Sequence, residues 1–408
     1  MHRQRLIVTA AALAFVLGIT SRPSCAQKQQ GTPQTKTSWP TKDWMRATPH
    51  ALGVNVAALD SIDADIKSGA FGYIDRMLVI RHGRLIYDRM YRQNYDSAYR
   101  DSIHVRGALN SHDFTSPYNY YNPWWHPFYH RGDLHSLQSV TKSITSMIIG
   151  SAVTRGDFPS LDTPVLSFFD TSKVANIDER KRRMTVRHLM TMTSGLDWNE
   201  GLPYTDPRNT AIGLEESGDW VKYTIDRPMA VEPGTVFNYN SGATAVLAHV
   251  FFQATGIDIE EYAARYLFSP LGIERWFWKR GPTGLADTEG GLYLEARDLA
   301  KLWYLLSKQG EWDGHQVLSR DWVRASTSPS VAIGGTGVSY GFGLFLRPWG
   351  RDSTHDSVGG SGFGGQLPFL LPDEDMIVVF NGWNILPGRA QLPFRQIVAR
   401  ISASVTGS

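Results

Sequence analysis

The chain reads as an α/β protein in which both ends supply strands to one layer and a mainly helical subdomain lies between them. Three observations predict this. Met77-Leu78-Val79-Ile80 and Leu85-Ile86-Tyr87 are apolar runs joined around His82-Gly83, a hairpin signal. Leu367 to Leu371 and Met376 to Phe380 flank the turn Pro372-Asp373-Glu374-Asp375 in the same way. The stretch between them, from about 155 to 290, carries helical rather than alternating apolar spacing.

Taken in order, Gln27 to Lys36 is polar with nothing to bury, so 27–45 reads as a flexible leader and the folded domain is expected over 46–406. A helix from about Asn55 carries Val56, Leu59, Ile62 and Ile66 on one face. Tyr118 to Tyr129 crowds aromatic residues among Asn and Pro without either period, and reads as a loop. A strong helix begins at Ser139, with Val140, Ile144, Met147, Ile148 and Ser151 on one stripe. Further helices are expected around Val186–Met192, Ala243–Ala254 and Ile259–Leu267. Another runs over Arg297–Leu306 after the turn Gly290-Gly291, and a last one over about Phe394 to Ala403.

Composition narrows the function. Of 408 residues, 42% are hydrophobic and 20% charged, which excludes general disorder. The net charge of +2 owes three units to Arg3, Arg5 and Arg22 in the first 26 residues; without them 38 basic face 39 acidic side chains, a net of −1. Such a balance gives no claim on nucleic acid or an anionic membrane. The single Cys25 excludes an internal disulfide framework and a cysteine-rich zinc site.

Residues 1–26 have the order of a cleavable signal peptide. A positive start (Arg3, Arg5) precedes an apolar run from Leu6 to about Ile19, and small residues Ser24 and Ala26 precede the expected cut. The apolar run is short for a membrane span, and no stable membrane anchor is expected. A periplasmic or secreted mature chain would begin near Gln27, without cysteine.

The chemistry-bearing residues begin with Ser139-Val140-Thr141-Lys142, where the serine and lysine sit one helical turn apart. A helix N-terminus favours an oxyanion, and a lysine in an apolar pocket loses preference for its charged form and can act as a base. The bland alternative is a Ser N-cap followed by a solvated lysine. Two further elements follow: Pro233 to Gly242, a turn delivering Tyr239 before a helix, and the glycine-rich Gly359 to Gln366, which leads into a strand.

These three elements in this order resemble the serine β-lactamase and penicillin-recognising family, in particular its class C-like branch of D-Ala-D-Ala peptidases, esterases and 6-aminohexanoate-dimer hydrolases. Thr185 to Leu196, Leu137 to Gly150 and Gly290 to Leu299 extend the resemblance over about residues 50–400. It implies a β-lactamase-like α/β (α+β) fold with an antiparallel sheet built from both chain ends, flanked by helices. It also implies that Ser139 is the acylated nucleophile, Lys142 its proton partner and Tyr239 the tyrosine of the Tyr-x-Asn element. Ser241 stands where that element has asparagine and is expected to face substrate there, with the usual amide contact shortened or lost. The Lys-Thr-Gly element maps onto Gly360-Ser361-Gly362 or Ser357-Val358-Gly359, either way without its cation, which favours an uncharged ester or amide substrate. Gly362 and Phe363 are then expected to touch substrate, with the Ser139 and Phe363 N–H groups holding the oxyanion. Tyr120-Tyr121-Asn122 precedes the nucleophile and is a decoy, and no Gly-x-Ser-x-Gly elbow occurs.

The resulting reading is an exported serine hydrolase of small ester or amide substrates that needs no metal or cofactor. Two other readings stay open: a β-lactamase or D-Ala-D-Ala peptidase, and a non-catalytic binding protein on the same fold. The sequence assigns no oligomeric state. His126, His130 and His135 lack a carboxylate to complete a metal set, His188 reads as structural, and Lys173 with Arg180 to Arg183 as a solvated basic face.

Overall fold

Strand Ile74–Arg81 turns at His82 and Gly83, whose φ angles of 49° and 68° suit a two-residue hairpin, and returns as Arg84–Met90. Its other edge pairs antiparallel with Met376–Gly382, placing Leu78 opposite Val379. Met376–Gly382 pairs in turn with Leu367–Leu371 through the expected C-terminal hairpin. His355–Gly359, Phe345–Trp349, Ser339–Tyr340 and Val331–Ala332 then extend the sheet to eight strands, antiparallel throughout. These four outer strands are additions that the apolar runs do not announce.

Both faces of the central strands are covered, which is why their sequences are continuous apolar runs. Leu78, Ile80, Ile377 and Val379 face the core that contains the helices Val140–Arg155 and Ala296–Ser307. Met77, Val79, Val378 and Phe380 face a second core with the helices Val56–Lys67 and Phe394–Ser402. In Val56–Lys67, Asn55 caps the first turn and Leu59, Ile62 and Ile66 are buried, each contributing about 1.5–3 kcal/mol. Val56, expected on the same face, is exposed.

The structure, a computed structural model, describes residues 39–104, 109, 119–204, 206–350, 355–386 and 390–406. The expected signal peptide, the leader up to residue 38 and Tyr118 lie outside them. From Trp39 onward the chain forms one compact unit. Residues 39–45, assigned to the leader by composition, pack onto that unit. Trp44 is buried with its Nε1 donating to the Arg297 carbonyl at 3.0 Å, and Trp39 packs edge-on against Tyr304 and tilted against Trp312. Trp39 and Trp44 are what tie this otherwise polar stretch to the core.

The helix Val140–Arg155 departs from its expected single apolar stripe: it is buried on every side from Val140 to Ala152. It runs between the sheet and the helical subdomain, so even its hydroxyls need internal partners. Ser143 Oγ donates to the Gly343 carbonyl at 2.5 Å and Ser151 Oγ to that of Tyr266 at 3.3 Å. Gly343, at φ 73°, is required there, since a Cβ would lie 2.9 Å from the Lys142 carbonyl oxygen.

In the subdomain, helices Val186–Met190, Ser241–Thr255 and Ile259–Ala263 stand at or near the expected positions. The basic cluster is only partly a solvated face. Lys181 is fully buried, and its ammonium donates to the carbonyls of Ala175 at 2.9 Å and Ile225 at 2.7 Å. The expected aromatic loop forms turns and one short 3-10 helix, Pro123–Trp125. Arg131 lies over the rings of Trp124 and Trp125 from this loop and of Phe277 and Tyr293 from beyond it, with Trp124 exposed. Among the described residues, no single helix is long and apolar enough to cross a membrane.

Candidate active site

Every residue from Leu134 to Ala152 is buried except Ser139, which is half-exposed. The chain reaches it through Gln138, held at φ 47°, a left-handed conformation that costs a non-glycine residue about 1–2 kcal/mol. Ser139 occupies the N-cap position of Val140–Arg155, yet its side chain caps nothing. Its Oγ instead accepts from Lys142 Nζ at 3.0 Å. Lys142 is 2% exposed, so the bland reading of a capping serine and a solvated lysine fails.

Lys142 is not in an apolar pocket. Its Nζ also donates to the Glu289 carbonyl at 2.7 Å, lies 3.5 Å from the Glu289 carboxylate, and sits 5.2 Å from the Tyr239 ring centre. Burial alone would push the ammonium down and is the largest single influence. The negative charges of Glu289 and Glu200, and that of Tyr239 once it ionises, together outweigh it and hold Lys142 above its ordinary value. The expectation of a lysine poised as a neutral base is therefore corrected: the resting lysine is a cation. Asp287 fixes this arrangement from behind, its Oδ1 accepting from the N–H groups of Glu289 at 3.2 Å and Gly290 at 2.9 Å.

Tyr239 is half-buried and delivered between two tethered asparagines. Asn238 donates from its N–H to the Met192 carbonyl at 2.8 Å and from Nδ2 to that of Trp198 at 2.8 Å. Asn240 caps helix Ser241–Thr255 by accepting from the Ala243 N–H at 2.9 Å. The Tyr239 hydroxyl interacts with the side chains of both Ser139 and Lys142. Burial nonetheless raises it above the usual phenol range, against the pull of the lysine charge. The structure thus brings Ser139, Lys142 and Tyr239 together.

Ser241 is placed elsewhere. It is 1% exposed, and its Oγ donates to Glu200 Oε1 at 2.6 Å, so it is a structural anchor rather than a substrate contact. Glu200 also accepts from the Ser241 N–H at 2.8 Å, Trp198 Nε1 at 2.8 Å and the Tyr204 hydroxyl at 2.7 Å. No motif flags this buried carboxylate; its one trace in the sequence is its place two residues after Trp198.

Gly362 and Phe363 line the same cavity as Ser139 and Tyr239, a space of about 660 Å³. Gly362 bridges to Gln366, and a Cβ on it would lie 2.4 Å from the Leu137 carbonyl oxygen, so glycine is what lets this segment pass the nucleophile turn. The Gly362 N–H is taken by the Gln366 carbonyl at 2.8 Å. Those of Ser139 and Phe363 donate to no group among the described residues, which leaves both free for an oxyanion. Of the two candidate triplets, Gly360-Ser361-Gly362 borders the cavity; Ser357 is buried, with its hydroxyl on the Arg347 carbonyl at 3.0 Å.

The aromatic loop backs the wall through Phe363 rather than lining the cavity itself. Tyr120 packs edge-on against Phe363 at 5.7 Å and donates to Glu215 at 2.6 Å, while Tyr204 packs on the same ring at 5.2 Å. The three histidines point to separate partners: His126 Nε2 to the Tyr121 carbonyl at 3.0 Å, His135 to Asp75 at 2.9 Å, and His130 to the Tyr129 ring at 4.3 Å. His188 accepts the Thr185 N–H at 3.1 Å in a capping box.

A family model described as Beta-lactamase matches residues 75–391. The 6-aminohexanoate-dimer hydrolase of Paenarthrobacter ureafaciens is 27% identical over 273 residues, 62% of this chain and 67% of its own length. Esterase EstB of Burkholderia gladioli is 29% identical over 150 residues, 34% of this chain and 37% of that protein. Among solved structures, a D-stereospecific amidohydrolase from Streptomyces sp. superposes with a TM-score of 0.60 at 15% identity, covering 86% of this chain and 99% of the other. That last likeness is one of fold.

Proposed function

Because the chain belongs to the β-lactamase family, and two of its relatives are named as a 6-aminohexanoate-dimer hydrolase and an esterase, we propose that it cleaves an ester or amide bond through an acyl-enzyme on Ser139. The observation that carries this is the single half-exposed serine in an otherwise buried run, 3.0 Å from a buried lysine and within reach of Tyr239.

The charge states suggest the division of labour. Lys142, held as a cation, stabilises negative charge on Ser139 and on Tyr239 without giving up its proton. Tyr239 in its phenolate form takes the Ser139 proton as Oγ attacks the carbonyl carbon, then passes that proton to the departing alcohol or amine as the carbonyl–heteroatom bond breaks. The Ser139 and Phe363 N–H groups hold the oxyanion in between. Water then attacks the ester on Ser139, yielding its proton by way of Tyr239 to Oγ. The amino-terminal pattern of residues 1–26 supports an exported chain, tested by sequencing the mature amino terminus, expected near Gln27.

The test of the chemistry is intact-mass analysis after treatment with a serine-reactive fluorophosphonate. One adduct on the wild type and none on Ser139→Ala is expected. An unlabelled wild type, or the same adduct on the variant, refutes the assignment.

A further inference from the structure

The segment that carries the Phe363 N–H is the one whose own backbone holds it least. Of Gly362-Phe363-Gly364-Gly365, only Phe363 has a side chain, and glycine leaves the chain the widest choice of conformation. The turn closes on itself, with the Gly362 carbonyl accepting from the N–H groups of Gly365 and Gln366, each at 3.2 Å. Outward it is hydrogen-bonded to strand Met376–Gly382 and just beyond. The Asn384 N–H donates to the Gly364 carbonyl at 2.8 Å, and Gln366 Nε2 donates to the Gly382 carbonyl.

The Phe363 ring ties the same turn to two other segments. Tyr120, from the loop before the nucleophile, meets it edge-on at 84°, and Tyr204 meets it at 55°. Each tyrosine is fixed at its far end by a buried carboxylate. The Tyr120 hydroxyl donates to Glu215 Oε1 at 2.6 Å and that of Tyr204 to Glu200 Oε1 at 2.7 Å. Glu200 Oε1 also accepts from Ser241 Oγ, two residues after Tyr239. One carboxylate therefore holds both a ring against Phe363 and the segment that delivers the catalytic tyrosine.

We infer that Tyr120 and Tyr204 are positioning residues: their tethered rings grip that of Phe363 and so hold the Phe363 N–H at the oxyanion position beside Ser139. Tyr120 lines no part of the cavity, so its effect on the oxyanion passes through the ring it packs against. Tyr120-Tyr121-Asn122, a decoy as a motif, thus has a use that no motif records. A donor that wanders still admits substrate but no longer favours the tetrahedral state over the carbonyl, so its loss falls on kcat. The catalytic weight of the grip rests on the hydrolase reading; the grip itself is measured without turnover.

Tyr120→Leu removes one of the two rings. On p-nitrophenyl butyrate its kcat should fall about ten- to a hundredfold, with KM within about threefold of wild type. Inhibition by trifluoroacetophenone, which Ser139 converts to a tetrahedral oxyanion, should weaken by a similar factor. Tyr120→Phe, which keeps the ring, should recover most of both. The Phe363 amide is followed by NMR in protein carrying isotope-labelled phenylalanine and is identified by its loss in Phe363→Leu. Its order parameter should drop from the rigid range, about 0.85, to below about 0.6 in Tyr120→Leu. An amide that stays rigid overturns the grip. A mobile amide with unchanged kcat, or a loss confined to KM, overturns its part in the reaction. Should Tyr120→Leu fail to fold, Tyr204→Leu is judged by the same amide criterion. A wild type that fluorophosphonate leaves unlabelled refutes the hydrolase, and the amide measurement still decides the grip.

Discussion

Replacing Glu200 separates the anchor of the tyrosine segment from the chemistry it serves. Four donors converge on this carboxylate: Trp198 Nε1 and the Ser241 N–H on Oε2, and the hydroxyls of Ser241 and Tyr204 on Oε1. The first two can only donate, and the residues that carry them are buried. Glu200→Ala orphans both, at about 1–3 kcal/mol each, and removes two hydroxyl partners besides, so a loss of about 3–6 kcal/mol is expected. Glu200→Gln can turn its oxygen to the two obligate donors and its amide to the two hydroxyls, which accept as readily as they donate. Only charge assistance is then lost, about 1–2 kcal/mol. Urea unfolding followed by tryptophan fluorescence measures both. Ester turnover should fall more in the alanine variant, because Tyr239 lies two residues from Ser241. An alanine variant within 1 kcal/mol of wild type, or one less perturbed than glutamine, refutes the account of Glu200 as the anchor.

Other expectations follow from single contacts. Gly362→Ala drives a Cβ to 2.4 Å from the Leu137 carbonyl oxygen and should lower kcat at least tenfold while the protein stays folded; near-normal kcat on a neutral ester would contradict the close approach. The logarithm of kcat/KM for a neutral ester should climb from neutral into alkaline pH, since burial keeps Tyr239 protonated and the phenolate is the working form; a fall beginning near pH 7 speaks against it. Lys181 has its folded pKa lowered to about 8 by burial against an ordinary 10.5, so the unfolded chain holds more protons between those values and stability rises with pH across that window. Denaturation of Lys181→Gln over pH 7–11 should show that rise flattened.

What could be read from the sequence depended on how local the signal was. The two hairpins and the helices Val56–Lys67, Ala296–Ser307 and Phe394–Ser402 carry their own turn residues or apolar spacing. Ser139 and Lys142 are one turn apart, so their meeting is a property of one helix. The outer strands from Val331 to Gly359 were not legible: two are only two residues long, and another contains Pro348. Glu200 and Glu289 reach the site from two separate segments, and neither lies in a recognisable spacing. The charge on Lys142 could not be inferred either, because burial lowers it and only neighbours distant in sequence reverse the sign.

The pairing of Ile74–Arg81 with Met376–Gly382 has a consequence for how the molecule is made. The first central strand finds its inner neighbour only when the end of the chain is available, and the Val54 and Val405 segments bridge across the same closure. Such high contact order slows the search and defers cooperative folding until synthesis is nearly complete. A growing chain can form the hairpin and fragments of the helical subdomain, but the sheet against which the Ser139 helix packs is absent. No partly made chain holds a working pocket, and truncation before Met376 should abolish the fold rather than trim it.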